Sequence, residues 1–474
     1  MATATGAHTA KVSMPTLSGF VVGSMIGAGV FSLPAAFAGA TGVAGTLIAW
    51  AIAGAGMFTL ALTFQHLAVR RPDLDAGIYS YAKAGFGHYA GFFAAFGYWA
   101  SACVGNVFYW VFIMQTLGAL FPALGSGDTP LAVVLASAGL WLFYVLIRRG
   151  VREAAAVNRV VTIAKVVPIV VFIVLCLTVF DPAVFAANWS GAGDGDGLFD
   201  QVRATMLVTV FVFIGVEGAS ANSRHARSRR DVGRATILGF LSVLAVFASV
   251  TIVAYGVLPR AEIAALAQPS MGGVLQAVVG DGGAVFVGGA LIVSVLGAYL
   301  AWTLMAAEVL LMAARSGDLP RFLQRTNAHD TPVGALLLST TLVQVLLVLS
   351  LFAQNAFAVA LDLTSALALI PFFLSAGYAL KLGLADRAAG DGSRGELLIA
   401  AVATVYTGFL LWAAGGAYVL LALLIIVPGT ILFVIGRREQ GARVFRPAEW
   451  VVFGLAVAGA VVAALLLATG TIAL

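Results

Sequence analysis

The chain has 474 residues, 61% of them apolar and only 10% charged, with a mean hydropathy of +1.02. Soluble domains carry roughly 25% charged residues, so this composition excludes a soluble protein and points to an integral membrane protein. The net charge of +5 is no sign of a nucleic-acid partner, because the basic residues sit in short loops between apolar segments.

Membrane helices need about 20 mostly apolar residues. On that criterion about thirteen spans are expected, near 15–38, 43–68, 87–120, 130–148, 154–180, 203–224, 234–258, 282–313, 332–353, 356–383, 396–413, 416–435 and 448–473. The third and eighth are long enough to tilt or to run past the bilayer. The polar tail, residues 1–14, leads into an apolar stretch too long for a signal peptide, so neither cleavage nor a lipid anchor is expected. Cys103 and Cys176 both fall within spans and read as packing residues, with no disulfide framework or metal site implied.

Lys and Arg mark the cytoplasmic loops of membrane proteins. They alternate here: Arg70, Arg71 and Lys83; Arg148, Arg149 and Arg152; five arginines between Arg224 and Arg234; Arg315, Arg321 and Arg325; Lys381, Arg387 and Arg394; then Arg437 to Arg446. The opposite loops carry Asp128, Asp181, Asp194, Asp196 and Asp200, with Arg203 and Arg260 as their only basic residues. This pattern places the N-terminus in the cytoplasm and the C-terminus outside. Two cytoplasmic connectors, Ile78 to Ala84 and Arg315 to Thr331, share an amphipathic build and read as a gate or scaffold.

Span one contains Gly23-Ser24-Met25-Ile26-Gly27-Ala28-Gly29-Val30-Phe31. So many glycines leave a helix free to unwind, and unwound backbone at membrane depth is tolerated only where it lines a cavity or is buried in protein. Gly19, Gly23 and Gly27, spaced by four, equally suit a packing groove. Span six decides between the two. In Phe211-Val212-Phe213-Ile214-Gly215-Val216-Glu217-Gly218 two glycines bracket an acid in an otherwise apolar helix. Five spans separate the two interruptions, and an odd number inverts the second block. Paired broken helices in inverted blocks point to a transporter's binding site. The expected organisation is therefore a first five-helix repeat (15–180), a second, inverted one (203–383) and three accessory helices (396–474).

Three stretches carry a resemblance: Gly23 to Pro34, Asp75-Ala76-Gly77-Ile78-Tyr79-Ser80-Tyr81-Ala82, and Phe213-Ile214-Gly215-Val216-Glu217. They resemble the basic amino-acid/polyamine antiporters of the amino acid–polyamine–organocation superfamily, above all the arginine/ornithine antiporters. The resemblance implies an all-α fold of the leucine-transporter type, with five plus five inverted spans and broken helices one and six. It places Asn106 where relatives contact a guanidinium, Phe211 where they carry a gating tryptophan, and Trp302 on a tryptophan of their eighth span. Thr364 and Ser365 fall where the family places a hydroxyl near the substrate. Phe at 211 and Ala at 28 depart from the relatives' residues and weaken a transfer of arginine specificity.

Elementary chemistry says what such a site holds. Free N–H groups at Gly27 to Val30, where the first helix resumes, suit a carboxylate. Carbonyls ending the half-helices near Ser24 and Met25, and near Phe213 and Ile214, suit an ammonium. Aromatic faces hold a cationic side chain. The candidate substrate contacts are thus Ser24, Met25, Gly27, Ala28, Gly29, Asn106, Tyr109, Phe211, Phe213, Ile214, Gly215, Trp302, Thr364 and Ser365. Intramembrane ionisable residues are functional by default. Glu217 reads as a proton acceptor, a pH sensor or a structural clasp between the broken helices. Lys165, in the fifth span, reads as an ammonium in place of a coupling sodium ion, or as a lysine snorkelling outward.

Exchange of basic amino acids by alternating access is the function these features favour. A proton-coupled amino-acid symporter using Lys165 is the alternative. No nucleophile motif or metal-ligand spacing suggests an enzyme, and no cofactor is expected. The predicted surroundings are small cationic amino acids and the lipid of a cell membrane, and the last three spans offer surface for a homodimer.

Overall fold

The computed structural model describes residues 18, 22–23, 25–74, 77–150, 155–191, 197–217, 229–353 and 355–472, with the side chains of 155–160 and 229–233 outside the description. The tail, Ser24 and the connector residues Asp75 and Ala76 lie outside it. Among the described residues the chain is helical, with one isolated bridge between Thr326 and Pro332 and no strand.

In chain order the main helices are α1 (Leu33–Ala40), α2 (Val43–Arg70), α3 (Ile78–Phe86), α4 (His88–Gly118), α5 (Pro130–Arg148), α6 (Ala155–Thr178), α7 (Leu198–Phe213) and α8 (Arg229–Ala254). They continue as α9 (Ser270–Val279), α10 (Asp281–Arg315), α11 (Val333–Leu349), α12 (Ala356–Ala388), α13 (Arg394–Ala413), α14 (Gly415–Glu439) and α15 (Pro447–Ala468). Among the described residues, 11 helices are long and apolar enough to cross a membrane, which makes this a multi-pass membrane protein. Each falls on one of the apolar stretches read from the sequence. The two stretches without such a helix are those expected to be interrupted.

Both interruptions are visible. Ile26 and Gly27 are non-helical, a 3-10 turn covers Ala28–Ser32, and α1 follows. α7 stops at Phe213, and Ile214 to Glu217 form a turn. Gly215 takes a φ of 109° there, a left-handed conformation that a side chain disfavours. On the far side of the first break, Ser270 at the start of α9 is inserted into the helix. Its hydroxyl accepts from Ala35 N at 3.1 Å and donates to the Phe31 carbonyl at 3.5 Å, standing in for the bond an unbroken helix would make between those two groups.

The loops also sort as the charge pattern requires. At one end Arg70 pairs with Asp386, Asn327 Nδ2 donates to the Arg148 carbonyl at 2.6 Å, and Arg321 N donates to Glu439 at 2.7 Å. We call this the basic end. At the other, Asn188 Nδ2 donates to the carbonyls of Tyr255 and Leu258 at 2.7 and 2.9 Å. Val43 N donates to the Asn188 carbonyl at 3.0 Å, and Arg260 reaches the Ala38 carbonyl at 2.9 Å, a cation at the negative end of α1.

α4 is the central helix: 89% of its most apolar window is buried, and its main neighbours are α10 and α12. It starts at Gly87, whose φ of 100° turns the chain out of α3. A Cβ at Gly87 would sit 2.9 Å from Glu449 Oε1. That close approach is used: Glu449, at the start of α15, accepts from Tyr89 N at 3.0 Å and from Arg446 N at 2.7 Å. One carboxylate thus caps two helix starts.

Candidate functional site

The broken segments, α4, α7, α10 and α12 surround a cavity lined by Met25, Gly27, Ala28, Gly29, Val30, Ser101, Ala102, Gly105, Tyr109, Phe211, Val212, Ile214, Trp302 and Thr364. Of the residues nominated from sequence, nine are on this wall: Met25, Gly27, Ala28, Gly29, Tyr109, Phe211, Ile214, Trp302 and Thr364. Asn106, Phe213, Gly215 and Ser365 are not. Phe213 is turned into an aromatic cluster with Phe240 and Phe247, ring centroids 5.2 and 5.7 Å away, and its carbonyl accepts from Val216 N at 3.1 Å. Ser365 Oγ lies 2.8 Å from the Leu207 carbonyl, so it ties α12 to α7. Ser24 is outside the described residues.

The first break presents a helix start to the cavity. No side chain caps the turn at Gly27, and its N–H groups belong to residues that line the wall. The Tyr109 hydroxyl lies opposite, 3.8 Å from where a Gly27 Cβ would stand. Gly29 is packed tightly: a Cβ there would meet Phe211 at 2.8 Å and Val212 at 2.9 Å. Only a bare backbone lets the resumed helix approach α7 this closely.

Three polar side chains at the cavity share one property. The hydroxyl of Ser101 donates to the Thr364 carbonyl at 2.8 Å, and that of Thr364 donates to Ala360 at 2.6 Å. Asn106, next to wall residue Gly105, donates Nδ2 to Thr303 at 3.1 Å, and its buried Oδ1 has no hydrogen-bond partner among the described residues. With their protons committed, the two hydroxyls have only lone pairs left to offer, and Asn106 Oδ1 is an acceptor without a partner. They suit a ligand rich in N–H donors.

Aromatic side chains close the cavity on two sides. Phe211 packs on Phe108 at 4.7 Å, which packs on Phe357 at 4.6 Å. Trp302 stands 6.1 Å from Tyr98. The Tyr98 hydroxyl donates to buried Glu217, whose other oxygen accepts from Gly215 N at 3.1 Å. Glu217 therefore clasps the second break to α4. Lys165 is buried and directs its ammonium to the Gly23 carbonyl at 3.4 Å, at the end of the first half-helix. It does not snorkel out of the bundle.

The two amphipathic connectors meet at the basic end through Asp318, whose side chain is fully buried. The Tyr79 hydroxyl donates to it at 2.5 Å, Lys83 lies at 2.8 Å, His88 at 2.7 Å and Arg437 at 3.5 Å. Burial alone would raise the Asp318 carboxyl; bonds from His88 and Lys83 outweigh it and hold the group below its ordinary value. Burial and the Asp318 charge push the Tyr79 phenol well up.

Sequence reasoning overlooked Ser101, Gly105 and Tyr98. A signal for the first two exists: Ser101, Gly105 and Tyr109 recur every fourth residue, which puts them on one face of α4. Tyr98 precedes that stripe by one turn and is one more aromatic in an aromatic-rich helix, so its bond to Glu217 had no local sign.

Comparisons with known proteins identify the family. The family model described as amino acid permease matches residues 12–429. An arginine/ornithine antiporter of Pseudomonas aeruginosa is 45% identical over 465 residues, covering 96% of each chain. The L-lysine transport protein of Corynebacterium glutamicum is 38% identical over 463 residues, 94% of this chain and 92% of its own. An arginine/agmatine antiporter of Chlamydia abortus is 34% identical over 440 residues, 90% of each. With the family model spanning most of its length and such relatives aligned nearly end to end, this chain belongs to the amino acid permease family.

Proposed function

We propose that the protein exchanges basic amino acids of the arginine/ornithine type across a cell membrane by alternating access. The observation that carries this reading is the set of uncommitted lone pairs that stand beside aromatic faces at the cavity. Ser101 and Thr364 offer lone pairs on the wall, Asn106 Oδ1 offers them just behind it, and Phe211 and Trp302 offer ring faces. A guanidinium or terminal ammonium supplies the donors and the charge that such walls bind. The uncapped start at Gly27 to Val30 receives the α-carboxylate. Among the described residues no acidic side chain lines the cavity, so the ligand's own carboxylate is the anion in the site. Relatives named for arginine, ornithine, lysine and agmatine support the substrate class, and two of the three are named antiporters, which favours exchange over proton-coupled symport.

The same reading assigns the two breaks to inverted five-helix blocks and turns the basic end to the cytoplasm. Lys165 acts as a fixed positive charge holding the first half-helix at Gly23, and Glu217 as the clasp that must release when the second break moves. The Asp318 cluster closes the cytoplasmic mouth by joining α3 to the segment after α10. Proteoliposomes test the exchange directly. Vesicles loaded with ornithine should take up labelled arginine, and empty vesicles should take up little. Equal uptake by empty vesicles under a proton gradient would refute exchange.

A further inference from the structure

A second concavity lies at the basic end, away from the central cavity. Its walls are Lys83, Ala84, Gly85, Phe86, Gly87, His88, Lys381 and Arg446. Four of these residues carry cationic or titratable nitrogens and none carries a carboxylate. The neighbouring groove at the same end is different. It mixes His66 and Arg70 with Asp391 and Glu396, and Arg70 is already paired with Asp386 and Glu396.

The cations of the first groove are not equally available. Lys83 and His88 face Asp318 from behind. Glu449 is also close, but both its oxygens are occupied by Tyr89 N and Arg446 N. Lys381 makes its bond to an uncharged group, the Gly85 carbonyl at 2.8 Å, and stands 5.7 Å over the Phe86 ring. Neither Lys381 nor Arg446 has a carboxylate at ion-pair distance among the described residues. Phe86 itself is fixed against α12, where a Cβ at Gly377 would touch its ring at 3.3 Å, yet it is 45% exposed.

The surroundings separate a lipid from a soluble anion. The groove lies at the basic end, where α4 and α15 begin and α12 approaches its last turns. One turn beyond Arg446, Trp450 is 55% exposed, and Val451 and Leu455 continue that apolar surface along α15. Charge, interfacial aromatics and an apolar track follow each other in the order in which a phospholipid presents phosphate, glycerol and acyl chains. We propose that this groove seats the phosphate of an anionic phospholipid between Lys381 and Arg446, with its acyl chains along α15.

Native mass spectrometry of the full-length protein tests this without any transport step. Phosphatidylglycerol and phosphatidylcholine of identical chains are offered at equal mole ratio. A juxtamembrane cation is worth about fivefold in anionic-lipid binding. The wild type should therefore retain phosphatidylglycerol at least fivefold over phosphatidylcholine. Lys381→Gln/Arg446→Gln should bring the two within twofold, and Arg394→Gln, an exposed arginine outside the groove, should keep the preference. If the double variant does not fold, Arg446→Gln alone is read the same way, with an intermediate ratio expected. No preference in the wild type, or an undiminished one in the variants, would overturn the assignment. Inorganic phosphate raising the Tm of protein in phosphatidylcholine nanodiscs as much as phosphatidylglycerol does would overturn it in favour of a soluble anion.

Discussion

Replacing Gly29 by alanine adds a single carbon, and the cavity wall determines its effect. That carbon arrives 2.8 Å from Phe211 Cδ1 and 2.9 Å from Val212 Cγ1, where ordinary contact begins at 3.4 Å. The Phe211 ring cannot retreat freely, because Phe108 backs it at 4.7 Å and is itself backed by Phe357. Either the ring turns into the cavity or the resumed half-helix shifts. Overpacking of this kind costs about 1–3 kcal/mol. If it falls on the substrate-bound state, apparent affinity drops about 5- to 150-fold. Gly23→Ala is the matched control, since a Cβ there meets no described atom within 4 Å. Surface-like substitutions without such a clash stay within about 0.5 kcal/mol. The assay is the KM for labelled arginine entering ornithine-loaded proteoliposomes, with Tm in detergent read alongside. Gly29→Ala should raise KM while Gly23→Ala leaves it near wild type, and Phe211→Leu added to Gly29→Ala should recover part of the loss. A Gly23→Ala variant as impaired as Gly29→Ala would show that the glycines serve as a packing stripe and that the cavity argument is wrong.

Removing the Tyr98 hydroxyl with Tyr98→Phe deletes a bond to a buried carboxylate, worth about 1.5–3 kcal/mol. Tm in detergent should fall correspondingly, and Glu217→Gln, whose amide oxygen still accepts from Tyr98, should lose less; an unchanged Tm in Tyr98→Phe would remove the clasp. Asp318→Ala leaves Lys83, His88 and Arg437 clustered without their anion and should cost about 3–5 kcal/mol, as for other broken buried pairs. The acid dependence has a definite sign. The folded Asp318 carboxyl lies below its ordinary value of 3.8, so its contribution is complete above that value and is lost as pH falls through the lower folded one. The Tm gap between wild type and Asp318→Asn should therefore be full at pH 7 and close under strong acid; a gap that widens on acidification would refute the assignment.

Much of the architecture was legible because a bilayer imposes simple rules. Apolar length marked the spans, Lys and Arg sorted the loops, and glycine clusters marked the breaks at Ile26-Gly27 and Ile214 to Glu217. The cavity wall was half legible. Backbone positions such as Gly27 and Gly29 announce themselves, because few residues other than glycine serve there. Side-chain roles were harder to read, because a hydroxyl's meaning depends on where its proton goes. Ser365 and Thr364 are adjacent in sequence, yet one bridges to the Leu207 carbonyl and the other faces the cavity. Span ten gave no sign of that difference. Phe213 illustrates the same limit, since a helix end says which carbonyls run out of partners but not that Val216 N turns back to take one. Asp318 stayed hidden for a different reason. Its partners come from the α3 segment, the start of α4 and the end of α14, and no spacing in the chain relates them.

The shared carboxylate of Glu449 changes how the C-terminal helices should be regarded. They look dispensable by position, lying after the helices that line the cavity and exposing much of their surface. Yet the amide at the head of the most buried helix is satisfied from the first turn of the last one. Shortening the gene before that turn, or fusing a tag in its place, would uncouple the core from its own cap, so the working unit includes at least the start of α15.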